Sequence, residues 1–187
     1  EVVIGTEVTP EALEIFKNRA GWGANVRVLA AELSPASPYP TVRTVRGGAL
    51  IQDSDEDPGN EWTAATQRQP TEKELAALKF AWKVIPHVKS NAILCALPGE
   101  LLGTGAGQMN RVQSVRLSLE QAGERAKGAV LASDAFFPFP DSIYTAAEAG
   151  ITAVIQPGGS KKDADVIAAA EEKGIAMILT GVRHFRH

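Results

Sequence analysis

"GAVLASDAFFPFPDSIYTAAEAGITAVIQPGGSKKDADVIAAAEEKGIAMIL", residues 128–179, decides the fold. Three short apolar runs, 129–133, 151–155 and 175–179, read as strands. The segments between them, 142–149 and 161–173, read as helices. Strand alternating with helix predicts an α/β protein with a parallel sheet covered by helices. Its crossovers are expected to be right-handed. Ligands in such folds gather beyond the carboxyl ends of the strands. That rule draws three stretches into one candidate site: Asp134 to Asp141, Pro157-Gly158-Gly159-Ser160, and Arg183-His184-Phe185-Arg186-His187. A strand that only filled a core would not need the ending Asp134-Ala135-Phe136-Phe137-Pro138-Phe139-Pro140-Asp141.

Upstream, Val2-Val3-Ile4 reads as a strand. Thr9 is a fitting N-cap with Pro10 at the first helical position, and Leu13, Ile15 and Phe16 give that helix an apolar face. Residues 26–30 form a second strand. Ser34 to Pro40 carries three prolines and reads as a loop. Thr41 to Gln52 reads as two strand pieces bent at Gly47-Gly48. Residues 53–69 are acidic, then polar, and mostly irregular. Thr71-Glu72-Lys73-Glu74 is a capping box that opens a helix running to about Val84, with Leu75, Leu78, Trp82 and Ile85 on one face. Residues 90–97 read as a strand, Leu101-Leu102-Gly103 as its partner, and 109–126 as a long helix. Two parts are expected: a lead-in and linking segment, 1–70, and a C-terminal lobe, 71–187.

Composition bounds the rest. The chain has 187 residues, 44% hydrophobic and 22% charged, with net charge −3. These are ordinary globular values, and the negative balance argues against nucleic acid as the main partner. No apolar run approaches the roughly 20 residues that span a bilayer, and no signal peptide pattern is visible. A cytoplasmic protein is expected. The chain opens at Glu1 on a strand-like run, which reads as a start inside a larger protein. The single cysteine, Cys95, excludes an internal disulfide and a multi-cysteine metal site. It reads as a small buried hydrophobe.

Several motifs have two readings. Gly158-Gly159-Ser160 before a helix offers backbone N–H groups to an anion, but Ser160 with Asp163 is equally a capping box. Gly103-Thr104-Gly105-Ala106-Gly107-Gln108 is glycine-rich without phosphate-loop or dinucleotide spacing, so it reads as a turn with close backbone approach. Arg111 falls in the first turn of a helix, where a cation opposes the dipole. It is either a solvated arginine or one that reaches something anionic or carbonyl-like. Asn91 suits an amide or carbonyl, because it donates and accepts, or it is a cap. The tail is frayed, or it folds over the strand ends and offers arginine to a phosphate. Absences count as well. No H-x-E with P-C-x-x-C is present, which removes zinc deaminase chemistry, and no G-x-S-x-G elbow appears. His87, His184 and His187 lack metal-ligand company. The residues add up to a binding half-site without an obvious nucleophile or base.

"HVKSNAI", "GTGAGQMNRVQSVRL", "GAVLASDAFFPFPD", "ITAVIQPGGS" and the terminal "TGVRHFRH" resemble the C-terminal part of the bifunctional purine biosynthesis family, which carries AICAR transformylase and IMP cyclohydrolase activities. "TVRTVRGGALIQD" and "RQPTEKELAALKFAWKV" fit the same region. The resemblance implies formyl transfer from 10-formyltetrahydrofolate to AICAR. It implies a three-layer α/β/α lobe of cytidine deaminase-like fold without zinc, and a homodimer with sites at the subunit interface. It places the cyclohydrolase domain, and the lobe holding the catalytic Lys-His pair, outside this sequence.

By position, the resemblance puts Asn91 and Arg111 near the carboxamide and the transferring formyl group, with Asn91 in the catalytic role. It puts Phe136 on the AICAR base, and Arg183 with the Phe185 backbone on the phosphate. Pro138 and Phe139 wall the folate and Asp141 accepts from the pterin edge. A potassium ion is implied near Asp134, Ser90 and the backbone carbonyls around Val88 and His184. Asn110 departs from the serine expected before Arg111, and the ending "RHFRH" matches bacterial-type members. Three readings stay open: a part of the transformylase without turnover of its own, a freestanding nucleotide- or folate-binding module, and a plain α/β domain.

Overall fold

The computed structural model describes residues 2–32, 40–55 and 61–187. Most of the proline-rich loop expected at 34–40 and part of the stretch 53–69 lie outside them. The chain divides into two compact units, Glu1–Ser54 and Asp55–His187.

The first unit pairs β1 (Val2–Gly5) in parallel with β2 (Arg27–Ala30). Helix α1 (Pro10–Asn18) connects them, and the Thr9 hydroxyl accepts from the Ala12 amide as its N-cap. A hairpin follows, β3 (Thr41–Val45) with β4 (Gly48–Gln52). It turns at Arg46-Gly47, where Gly47 takes φ 87°, a backbone glycine adopts without a Cβ penalty. The bend expected near Gly47-Gly48 is this turn. Helix α1 buries no residue, and Ile4, Ile15, Leu29, Leu50 and Ile51 are exposed. Two-stranded pieces of this kind have little core of their own.

The second unit holds a six-stranded sheet. In chain order its elements are β5 (Thr63–Ala64), α2 (Glu72–Val84), β6 (Ile93–Leu97), β7 (Glu100–Gly105), α3 (Arg111–Ala122), β8 (Val130–Ser133), α4 (Asp141–Glu148), β9 (Ala153–Gln156), α5 (Asp163–Lys173) and β10 (Ala176–Leu179). The sheet order is β5-β10-β9-β8-β6-β7. Strands β8, β9 and β10 are parallel, as the alternation predicts. Strands β5, β6 and β7 run antiparallel to their neighbours, so the sheet is mixed.

The central strands are apolar, save Ser133 at the end of β8 and Gln156 at the end of β9, because both their faces are buried. Ile93, Cys95, Leu131, Val154 and Met177 join one core with Val115 of α3, Ile143 of α4 and Val166 of α5. The alternate residues Leu94, Ala96, Ala132, Ile155 and Ile178 join a second core with Leu78, Ala81 and Trp82 of α2. The period of two thus splits one apolar run between two layers of helices. The capping box of α2 is present: Thr71 Oγ1 accepts from the Glu74 amide, and Glu74 Oε2 accepts from the Thr71 amide.

Several boundaries shift. Leu75 is only half-buried, while Leu78, Trp82 and, just past the end of α2, Ile85 are buried as expected, together with Ala77 and Ala81. The strand expected from Ser90 begins at Ile93, because residues 90 and 91 form a bend. The helix expected over 109–126 runs from Arg111 to Ala122. Asn110 caps its start, and a 3-10 turn, Gly123–Ala126, finishes it. No helix among the described residues is long and apolar enough to cross a membrane.

Candidate functional site

Helix α3 lies directly on β7, and two glycines make this possible. A Cβ on Gly103 would sit 1.9 Å from the Ser118 carbonyl oxygen, and one on Gly105 would sit 1.9 Å from that of Ser114. The glycine-rich stretch therefore serves close backbone approach. Ser118 Oγ donates to the Gly103 carbonyl at 3.1 Å, which fixes the helix along the strand. That position brings the start of α3 to the ends of β6 and β8.

Arg111, the first residue of α3, points inward and is buried. Its Nη1 donates to Asp134 Oδ1 at 2.5 Å and to Ser133 Oγ at 2.9 Å, and its Nη2 donates to Asn91 Oδ1 at 2.8 Å. Asp134, fully buried just past β8, supplies the negative charge that offsets a cation at a helix N-terminus. Asn91 is clamped from both sides, since its Nδ2 also donates to the Gln108 carbonyl at 2.8 Å. Its backbone carbonyl accepts from Ser114 Oγ at 2.9 Å. An amide nitrogen carries two donors, so one Nδ2–H of Asn91 remains beyond the Gln108 bond. Gln108, Ser114 and Ser133 have no spacing signal in the sequence; only the fold brings them here.

Around this buried layer lies an open cavity of about 390 Å³. Asn91 and Arg111 form its floor. Phe136, Pro138, Phe139 and Asp141 come from the loop after β8, and Arg183 and Phe185 from the tail after β10. The strand-end rule accounts for the six from the β8 loop and the tail. Asn91, just before the antiparallel β6, and Arg111, at the start of α3, join them through the fold. The third expected stretch, residues 157–160, does not line this cavity. Within the aromatic run the labour divides. Phe137 is fully buried, and its amide donates to Gln156 Oε1 at 2.9 Å, so it anchors the loop. Burying such a ring stabilises by about 1.5–3 kcal/mol. Phe139 is exposed and Phe136 half-buried on the cavity side. Asp141 opens α4 and its Oδ1 accepts from the Ser142 amide. Gln156, at the end of β9, is fully buried and looks in sequence like the polar end of a strand.

The tail is not frayed. The Ser90 amide donates to the Arg186 carbonyl at 2.8 Å, and the Arg186 amide to Ser90 Oγ at 3.0 Å. The His184 amide donates to the Asp134 carbonyl at 2.9 Å. Arg183 lies over the Phe185 ring at 5.7 Å. Ser90 and Asp134, the expected cation ligands, do not line the cavity. Asp134 Oδ2 is buried and has no hydrogen-bond partner among the described residues.

A smaller cavity of about 260 Å³ adjoins Phe136 and Arg183 and is lined by Pro157, Gly158 and Gly159. Two backbone donors there are taken. Asp163 Oδ2 accepts from the Gly159 amide at 2.6 Å and its Oδ1 from the Ser160 amide at 3.1 Å. Only half of the capping box expected at Ser160 and Asp163 forms, because α5 starts at Asp163 with Lys162 as its N-cap and no side-chain cap. The Gly159 and Ser160 amides are nonetheless bonded to Asp163 and not open to an anion. Cys95 is no nucleophile: burial pushes its thiol up to about 12.

Comparison with known proteins follows the same lines. The family model described as "AICARFT/IMPCHase bienzyme" matches residues 1–121. The curated bifunctional purine biosynthesis protein PurH of Nostoc punctiforme is 53% identical over 189 residues, covering 100% of this chain and 36% of that protein. Those of Sorangium cellulosum and Anoxybacillus flavithermus are 53% and 52% identical, again over 100% of this chain and 36% of theirs. The chain thus spans about a third of the length of the curated relatives it matches.

Proposed function

Because the chain belongs to the AICARFT/IMPCHase bienzyme family, we propose that it forms the AICAR- and folate-binding part of an AICAR formyltransferase. The reaction moves a formyl group from 10-formyltetrahydrofolate to AICAR in purine biosynthesis, in a cytoplasmic homodimer whose remaining sequence also carries IMP cyclohydrolase. The second unit is then a three-layer, cytidine deaminase-like lobe that works without zinc. One observation carries the reading: the residues expected on AICAR (Asn91, Arg111, Phe136, Arg183, Phe185) and those expected on folate (Pro138, Phe139, Asp141) line one cavity.

The geometry suits formyl transfer. The remaining amide N–H of Asn91 is held in place by Arg111 and Gln108. A fixed donor of this kind stabilises the formyl oxygen as its carbon becomes tetrahedral. Arg111 acts behind Asn91, with its charge offset by Asp134. Phe136 and Phe139 give flat surfaces for two ring systems, and Asp141, acceptor-only when ionised, suits a pterin's N–H edge. Arg183 suits the phosphate. Orienting two substrates in one cavity contributes several kcal/mol toward the roughly 7–11 that ideal positioning supplies. The proton transfers fall to the family's Lys-His pair, which the matched motifs here do not contain. The orphaned Asp134 Oδ2 fits an oxygen-liganded monovalent cation, and Ser90 Oγ would be a second ligand to potassium.

Calorimetric titration of the chain with AICAR and with a non-reactive folate analogue tests the reading. Both are expected to bind, and Asn91→Ala with Arg183→Ala is expected to weaken AICAR while sparing the analogue. Formyl transfer by the chain alone is expected to be absent. No binding of either ligand would leave the plain-domain reading standing, and robust turnover would overturn the division of labour.

A further inference from the structure

His184 is the one tail residue that turns fully into the protein, while its neighbours Arg183 and Phe185 face the cavity. Its ring is held twice. Nδ1 lies 2.8 Å from Asp55 Oδ1, and the ring meets Trp82 of α2 at 4.8 Å between centroids, edge to face at 62°. Trp82 in turn packs against Trp62 at 6.3 Å. A carboxylate only accepts, so Nδ1 carries the proton and donates. The other ring nitrogen, Nε2, is buried without a hydrogen-bond partner among the described residues. The ring's polar anchor is therefore Asp55, 129 residues away in sequence.

We infer that the Asp55–His184 pair is a positioning device for the phosphate end of the site. Resting on the AICAR reading above, it sets the reach of Arg183. The backbone at His184 is tied to the Asp134 carbonyl, and that at Arg186 to Ser90. These bonds fix the course of the tail, and the inward anchor at His184 adds the side-chain tie that holds which side of it faces the protein. Consecutive side chains of an extended segment point to opposite sides. With His184 turned inward, Arg183 and Phe185 are turned out onto the cavity. Neither Asp55 nor His184 lines it, so both act through Arg183 and Phe185.

The test uses the full-length protein and three variants: Asp55→Ala, Asp55→Asn and His184→Leu. Asp55→Asn keeps an acceptor for Nδ1–H and serves as the conservative rescue. Two readouts are taken: backbone amide exchange of the tail without ligand, and dissociation constants for AICAR, its unphosphorylated riboside and a folate analogue. Asp55→Ala and His184→Leu are expected to speed exchange at the tail. They are expected to weaken AICAR about tenfold, the order of losing one pre-ordered long side chain, and to leave riboside and folate analogue within about twofold. Asp55→Asn is expected to restore most of both. Unchanged tail exchange in Asp55→Ala, or equal weakening of AICAR and folate analogue, overturns the device. If the unaltered protein binds AICAR no better than its riboside, the phosphate assignment fails instead, and the exchange data still judge whether Asp55 holds the tail.

Discussion

Replacing Arg111 with methionine removes a charge from a place where water cannot take over. The Arg111 side chain is 7% exposed and that of Asp134 0%. In Arg111→Met, Asp134 Oδ1 loses its donor while Oδ2 already has none among the described residues. Asn91 Oδ1 loses its partner as well. The attraction between charges this close is about 4 kcal/mol at an effective dielectric of 20, and breaking one side of a buried pair typically costs about 3–5 kcal/mol. At about 2–4 °C per kcal/mol, the melting temperature of the second unit is expected to fall by roughly 6–20 °C. Adding Asp134→Asn removes the stranded charge and is expected to recover part of the loss. Urea and thermal unfolding, followed by circular dichroism, measure all three variants. A cost below about 1 kcal/mol for Arg111→Met, or a double variant less stable than the single one, would refute the view that Asp134 is an ion held by Arg111.

Glu74 gives a pH signature. Burial opposes its ionisation, but the Thr71 amide, at 2.7 Å, and Arg68, at 2.6 Å, outweigh it and hold the carboxyl at about 2 instead of 4.5. Its stabilisation is fully present above about pH 4.5 and is lost as the pH falls through about 2. Glu74→Gln is expected to cost up to about 3 kcal/mol at pH 7 and little near pH 2, read from urea midpoints across that range. Gly105→Ala drives a methyl into the Ser114 carbonyl and is expected to cost about 3 kcal/mol, the upper end for overpacking, in the same unfolding assay. Cys95, buried and with its thiol near 12, is expected to resist a thiol reagent at pH 8 until denaturant is added, as absorbance of the released chromophore reports.

The sheet was legible where burial on both faces writes a continuous apolar run, as at Leu94-Cys95-Ala96 and Val130-Leu131-Ala132. It was less legible where side chains say nothing about direction. The antiparallel setting of β6 and β7 depends on pairing across the sheet, which the alternation downstream does not fix. Leu75 misled because its helical spacing puts it near Leu78, while the buried face of α2 runs through Ala77, Leu78, Ala81 and Trp82 and leaves Leu75 half-buried. In the site, Arg111 announced itself by opposing its own helix dipole, and the anion it reaches is Asp134. Asp55 gave no signal: an acidic residue in an acidic stretch looks solvated until a histidine 129 residues away is folded against it. In the first unit, strands could be read but not what covers them. Val2-Val3-Ile4 has the same pattern whether its faces are buried or, as here, exposed.

The site has two layers with different physical demands. Its floor, the half-buried Asn91 and the buried Arg111, rests on the buried Asp134 through side-chain hydrogen bonds. Such a layer cannot shift to meet a ligand without stranding a charge, which suits a donor that must already be aimed when charge develops. Its walls, Phe139, Asp141 and Arg183, stand in solvent on the loop and tail that end β8 and β10. Exposed side chains must lose rotamer freedom when they grip a ligand, so their usefulness depends on how firmly the backbone beneath them is held. Phe137 with Gln156 holds the loop, and His184 with Asp55 holds the tail. Each wall therefore rests on an inward-turned neighbour one residue from a cavity-lining side chain. Substitutions at these inward residues should alter ligand affinity more than their distance from the cavity suggests, and in opposite halves: Gln156 through Phe136 and the loop, Asp55 through Arg183 and the tail.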